Sequence, residues 1–245
     1  MKVTRTILSC LAAAASVAIL PVQAADQPTG LWEHSIGLGF ALTKGNSDTL
    51  LVNANWLSAR KWDKNELRIG ADANYGENDG EKNAQSAHAF GQYNRLFGQQ
   101  DRFFGYFRVD GYHDDIADIE YRVVVSPGIG YYFIKNAKTT FSGEFGPGWV
   151  FEKKGDHSDD YFTVRFAERF EHKFNERVRL WQSLEYLPQV EDWENFILNA
   201  EIGVDSSLSK ALSLRVFVQD TYTSDPAPGR DENDVKLVTA LLYKF

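Results

Sequence analysis

The sequence predicts an all-β transmembrane barrel of about 12 antiparallel strands with both termini on the periplasmic side. Three observations carry this. A two-residue hydrophobic alternation recurs along the chain after Leu31, the connections fall into two alternating kinds, and aromatic residues gather near both ends of the alternating segments.

Residues 1–24 read as a cleaved secretory signal, leaving 25–245 as the barrel. Lys2 and Arg5 make a positive start, residues 7–20 are apolar, Pro21 breaks the run, and Val22-Gln23-Ala24 is a small-residue cleavage site. The apolar run is shorter than the about 20 residues a spanning helix needs. It continues past Cys10, which argues against lipidation there. Cys10 is the only cysteine, so the processed chain has no thiol for a disulfide, a thiolate metal site or a cysteine nucleophile.

The strands follow in order. Trp32, His34, Ile36, Leu38, Phe40 and Leu42 share one face of the first, with glycines and small polar residues on the other. The second places Leu50, Val52, Ala54 and Trp56 outward and Asn53 and Asn55 inward, and the third opposes Leu67, Ile69 and Tyr75 to Arg68, Asp72 and Asn74. The fourth, near 87–97, is ambiguous in face. The fifth and sixth set Phe107 and Val109 against Arg108 and Asp110, then Val123, Val125 and Ile129 against Glu120, Arg122 and Ser126. In the seventh and eighth, Phe145 and Trp149 oppose Glu144, and Phe162, Val164 and Phe166 oppose Arg165 and Arg169. The ninth to eleventh bring Arg179 and Glu185, Asn199 and Glu201, then Arg215 and Gln219 inward. The last runs from Val235 to Phe245. Glu168 and Gln182 fall on apolar faces and run against this register.

Tight, often basic connections at 61–64, 98–102, 135–138, 173–177 and 206–210 alternate with generally longer, acidic ones at 76–82, 113–118, 152–160, 188–194 and 224–234. Short turns on one side and long loops on the other are the outer-membrane arrangement, with the turns in the periplasm. The short 44–48 connection on the loop side is an exception. Trp32, Trp62, Tyr131, Phe133, Phe170, Tyr243 and Phe245 lie near the turn side; Tyr75, Trp149, Phe151, Tyr161, Phe162, Tyr186 and Tyr222 lie near the loop side. Two such groups suit two membrane interfaces. A secreted β-sandwich, lipocalin or propeller would also alternate, but would not combine alternating loops, two aromatic groups and a terminal Phe. No second domain or linker interrupts the pattern.

Composition agrees. The net charge of −8, from 26 Lys and Arg against 34 Asp and Glu, becomes −10 once Lys2 and Arg5 are removed. An acidic chain repels nucleic-acid phosphates. A mean hydropathy of −0.37 argues against a helical membrane protein but not against a barrel, where only alternate residues meet lipid.

At Leu42-Thr43-Lys44-Gly45-Asn46-Ser47-Asp48-Thr49 the chain resembles the family of salt-induced outer-membrane proteins, a domain-of-unknown-function family whose members carry a T-x-G-N-[ST]-D-T turn. The likeness continues through Asn74-Tyr75-Gly76, Tyr121-Arg122 and Gly128-Ile129-Gly130-Tyr131, and covers 31–245. It implies a barrel linked to salt or osmotic stress and supplies no catalytic residues.

The lumen is the first candidate site. Arg68, Arg108, Arg122, Arg165, Arg169 and Arg215 are expected to face inward, opposite Asp72, Asp110, Glu120, Glu144, Glu185 and Glu201. Arginine suits bidentate carboxylate pairing in a confined space. Such a lining makes either a narrow passive pathway for water, ions or small solutes, or a structural network that fills the interior. The acidic loops, such as Asp114-Asp115 and Asp159-Asp160, have hard oxygen ligands but no EF-hand spacing, and read as a solvated rim. A rim hydrolase is the alternative function, built on His113-Asp114-Asp115, Asp156-His157 or Ser86 with His88. Consecutive residues in a strand point to opposite faces, and no nucleophile motif surrounds Ser86, so the expectation is a non-enzymatic barrel without cofactor or metal. A surface-binding role for the acidic loops is a third class. The expected partners are outer-membrane lipid and lipopolysaccharide, the barrel assembly machinery through Phe245, and ions or small solutes.

Overall fold

In the computed structural model, residues 30–43 and 49–245 are described; the expected export signal and the 44–48 turn lie outside them. Twelve strands form the chain: β1 (Trp32–Thr43), β2 (Thr49–Trp62), β3 (Asn65–Asn78), β4 (Glu81–Phe97), β5 (Phe103–Asp114), β6 (Ile119–Lys135), β7 (Thr139–Lys154), β8 (His157–Lys173), β9 (Val178–Pro188), β10 (Phe196–Ser207), β11 (Leu212–Thr223) and β12 (Asn233–Lys244). Each pairs antiparallel with its sequence neighbours and the sheet closes on itself. Closure matters because it leaves no edge of bare amides, which lipid cannot solvate. The closing seam of β1 on β12 is short. Its described register runs only from Ser35↔Lys244 to Leu38↔Leu241, extended by reciprocal main-chain bonds of 3.2 and 3.1 Å between His34 and Phe245.

The burial pattern is that of a soluble protein turned inside out. Leu38 and Ile129 are each 61% exposed and Phe40 is 81% exposed on the outside, while Arg122, Arg165 and Asp110 are buried within. Near the turn end the outward rings touch in series, from Phe97 through Phe103, Tyr131, Phe133, Phe141 and Phe170 to His172. Trp32, His34, Phe245 and Tyr243 stack beside the seam. At the loop end Trp149 packs on Phe151 and Phe162, and Phe196 on Tyr186 and Tyr222. Aromatic rings at such levels suit the membrane interfaces. Tyr161 is a correction. It points inward, into a buried cluster with Val124, Val150, Leu187 and Ile197.

Several expected loops are mostly strand. β3 and β4 meet at Asp79 and Gly80, whose φ values of 52° and 81° make the twist-matched turn that Asp-Gly favours. β7 and β8 leave only residues 155–156 between them. Acidic composition marks the outer rim there, and the strands simply extend into it. The longest described connections are 189–195 and 224–232, both at the loop end.

The ambiguous β4 resolves. Ser86, His88, Gln92 and Asn94 face the lumen together with Phe90 and Leu96. Its inward row is partly apolar and its outward row carries the small residues Ala87, Ala89 and Gly91, which hides the alternation. Leu96, Phe104, Tyr106 and Tyr132 form an aromatic-rich wall inside the turn half of the barrel.

The lumen as candidate functional site

Inward side chains of the strands line one cavity of about 520 Å³. Its walls include Glu33 and Lys61 at the turn end and Lys154 and Asp234 at the loop end. Of the twelve sequence-predicted charges, all line it except Asp110 and Glu120. Asp110 is inside the barrel but buried beneath its partners.

Glu120 is a correction. The pairing of β6 with its neighbours shifts between Ile119 and Tyr121, which turns Glu120 out of the inward row. Its exposed carboxylate pairs with Lys153 on the outside, while Ile119 is buried and lines the cavity.

The charges are paired in tiers. Midway along, Arg108 donates to Asp110 at 2.7 and 2.5 Å, and the two nitrogens of His88 face Asp72 at 3.0 Å and Asp110 at 3.2 Å. The His88 ring stacks on Tyr112 at 4.2 Å. Arg165 bridges Glu144 at 2.6 Å and Glu185 at 2.5 Å. Glu144 also accepts from Gln92 at 2.8 Å, and Glu201 accepts from Ser183 and Gln219.

Toward the turn end, Asp205 binds Arg179 at 2.6 Å and Arg215 at 2.7 Å, and accepts from the Trp181 indole at 3.3 Å. Glu171 binds Arg169 at 2.9 Å and Arg179 at 3.2 Å. At the loop end Arg122 donates to Glu152 at 2.6 Å. Carboxylates confined in this way hold guanidinium forks in fixed positions, so the wall charges are set in place rather than mobile.

Asp205, Glu171 and Glu152 were not among the expected site residues. Glu152 lies within the acidic stretch expected as a loop, and Asp205 within a run that reads as a turn start. The available signal was continuation of the inward parity by one or two residues.

The mouth is narrowed. Residues 224–232 fold across the loop end, so that Ala227 is 1% exposed and Pro226, Ala227, Asp231 and Glu232 join the cavity wall. Lys154 on β7 reaches over to the Asp225 carboxylate at 2.9 Å and also donates to its carbonyl. Lys236 on β12 spans to Ser86 at 3.3 Å and Asp114 at 3.6 Å.

Four of the five histidines are held by contacts of their own. His113 Nε2 is 3.1 Å from Asp115 and its Nδ1 is 2.9 Å from the Glu120 carbonyl. Asp114 accepts from the backbone amides of Ile116 and Ala117. Ser86 bonds Asn74 and Lys236, while His88 turns to Asp72 and Asp110. His34 packs between Trp32 and Phe245 and bonds Ser58. His172 is on β8, and its ring is 2.9 Å from Thr139 Oγ1. Among the described residues, no three His, Cys, Asp or Glu side chains gather as a metal site.

On the outside, an apolar groove of about 450 Å³ crosses β6 to β9, between rings such as Phe133, Phe145 and Tyr186. Glu168, which runs against the apolar alternation, lines it.

Comparisons with known proteins agree on the architecture. The NanC porin structure superposes with a TM-score of 0.52 at 7% identity, covering 86% of this chain and 98% of that one. An outer membrane channel from Pseudomonas putida F1 does so with a TM-score of 0.52 at 8% identity, covering 90% of this chain and 97% of that one. At such identities the likeness is one of fold. No curated protein matches the sequence. The model of the family described as "Protein of unknown function, DUF481" matches residues 36–245, and the chain belongs to that family.

Proposed function

We propose that this protein is a narrow passive channel of the outer membrane, carrying water, ions or small polar solutes through its charged lumen. One observation carries the reading. A filled, purely structural barrel would leave no connected interior, whereas a cavity of about 520 Å³ takes its walls from both ends of the strands. The pairing of wall charges supports it, because fixed dipoles and charges can replace part of a solute's hydration without collapsing on it. Two of its structural relatives are a porin and an outer membrane channel.

In this reading the short-turn end and both termini face the periplasm, lipid and lipopolysaccharide cover the apolar exterior, and Phe245 presents the assembly signal. Export relies on removal of residues 1–24. A role under salt or osmotic stress belongs to the same proposal and rests on the family resemblance; impaired growth of a deletion strain at high salt is its check.

The decisive experiment is planar-bilayer recording of refolded protein. Discrete conductance steps are expected. A heat-modifiable, correctly folded barrel with no conductance across a range of salts would leave the charge network a structural role only.

A further inference from the structure

Arg68 stands apart from the other arginines of the lumen. Arg108, Arg122, Arg165, Arg169, Arg179 and Arg215 each have a carboxylate within 3.2 Å. Among the described residues, Arg68 has neither an ion pair nor a hydrogen-bond partner, yet it lines the cavity. Glu171, which also lines the cavity, is already engaged by Arg169 and Arg179.

What holds Arg68 is a ring face. Its guanidinium lies 5.9 Å from the Phe90 centroid, and Arg108 lies 4.6 Å from the same ring. A cation–π contact consumes no hydrogen bond, so the guanidinium N–H donors stay unspent. Small residues flank Arg68 on the wall. Ala59 is opposite on β2, and Gly70 is the next inward residue on β3. Phe90 fills the space over Gly70, where a Cβ would come within 2.5 Å of the ring.

We propose that Arg68 is an oxyanion subsite of the pathway, offering its free fork to one carboxylate or phosphate group of a passing solute. This rests on the channel reading above. Two oxygens of a carboxylate or of a phosphate match two parallel guanidinium donors.

The test compares wild type with Arg68→Gln and Arg68→Lys in bilayers, using potassium acetate and potassium phosphate added to potassium chloride. Wild-type chloride current is expected to fall on adding either oxyanion. In Arg68→Gln the half-blocking concentration should rise by about tenfold or more, since a charge-assisted pair is lost. The reversal potential in a salt gradient should also move toward cation preference. Arg68→Lys should keep the reversal potential and lose most of the block, because an ammonium lacks the fork. Block by phosphate alone assigns a phosphate-bearing solute; block by both assigns oxyanions in general.

A conducting Arg68→Gln channel with unchanged block and reversal potential would overturn the subsite and leave the channel standing. If the wild type does not conduct, calorimetric titration of the refolded barrel with phosphate decides the subsite alone. Binding heat lost in Arg68→Gln supports it, and no heat with wild type ends it. Heat-modifiable gel mobility confirms that each variant is folded.

Discussion

The Gln182 amide donates a 3.0 Å hydrogen bond to the Glu168 carboxylate on the outer, lipid-facing side of β8 and β9. Their neighbours along the same outward rows are Phe166, Phe170, Leu180 and Leu184. A polar side chain against acyl chains needs a partner, and these two supply each other. Replacing Glu168 alone by Leu should leave the amide unmatched and cost about 1–3 kcal/mol. The double variant Glu168→Leu, Gln182→Leu should recover most of that loss. Urea unfolding in lipid vesicles, followed by tryptophan fluorescence, checks both; equal midpoints for the single and double variants would contradict the pairing.

Lys154 tethers the 224–232 segment across the mouth through Asp225. Lys154→Ala should free that segment and raise single-channel conductance with little change in stability, because Asp225 is largely solvent-exposed. The tether should also weaken as salt screens it, so the gain from the substitution should shrink at high ionic strength. A conductance identical to wild type at low salt would show that this segment does not limit flow.

Among the described residues, Asp205 is the only carboxylate bound by Arg215 and one of two bound by Arg179. Asp205→Ala strands a guanidinium in the wall beside Trp181. The expected loss is about 3–5 kcal/mol, as for breaking a buried pair by removing one partner. A lowered urea midpoint with retained gel shift checks it.

Gly146 sits where β6 and β7 approach closely. A Cβ there would lie 2.2 Å from the Pro127 carbonyl and 2.6 Å from Gly128 Cα, both backbone atoms that cannot swing away. Gly146→Ala should therefore destabilise the barrel by about 1–3 kcal/mol. Gly91 provides the control. A Cβ added there would meet nothing within 4 Å, so Gly91→Ala should be neutral. Refolding yield from urea separates the two.

The barrel was legible because lipid imposes its demand at every second residue. Ile36, Leu38 and Phe40 alternate with Gly37 and Gly39, and the outcome is visible in their exposure. β4 was opaque for a physical reason: Phe90 and Leu96 pack inward, against the apolar wall and an arginine pair, while alanines and glycine meet lipid. Glu120 misled because one shift in pairing inverts parity beyond it. The partners of the lumen charges were beyond reach of alternation. Arg165 reaches Glu144 and Glu185 on both neighbouring strands, and such choices depend on stagger between strands. The infolded 224–232 segment is set by contacts with β7, far away in sequence.

The shortness of the ladder between β1 and β12 has a mechanical consequence. A hoop under tension parts at its least-stitched line, and here that line is the meeting of the first strand with the last. Lateral stress from the bilayer, or an invading strand from another chain, would meet least resistance there. The rings of His34 and Phe245, stacked at 5.3 Å, act as a clasp over the end of that join.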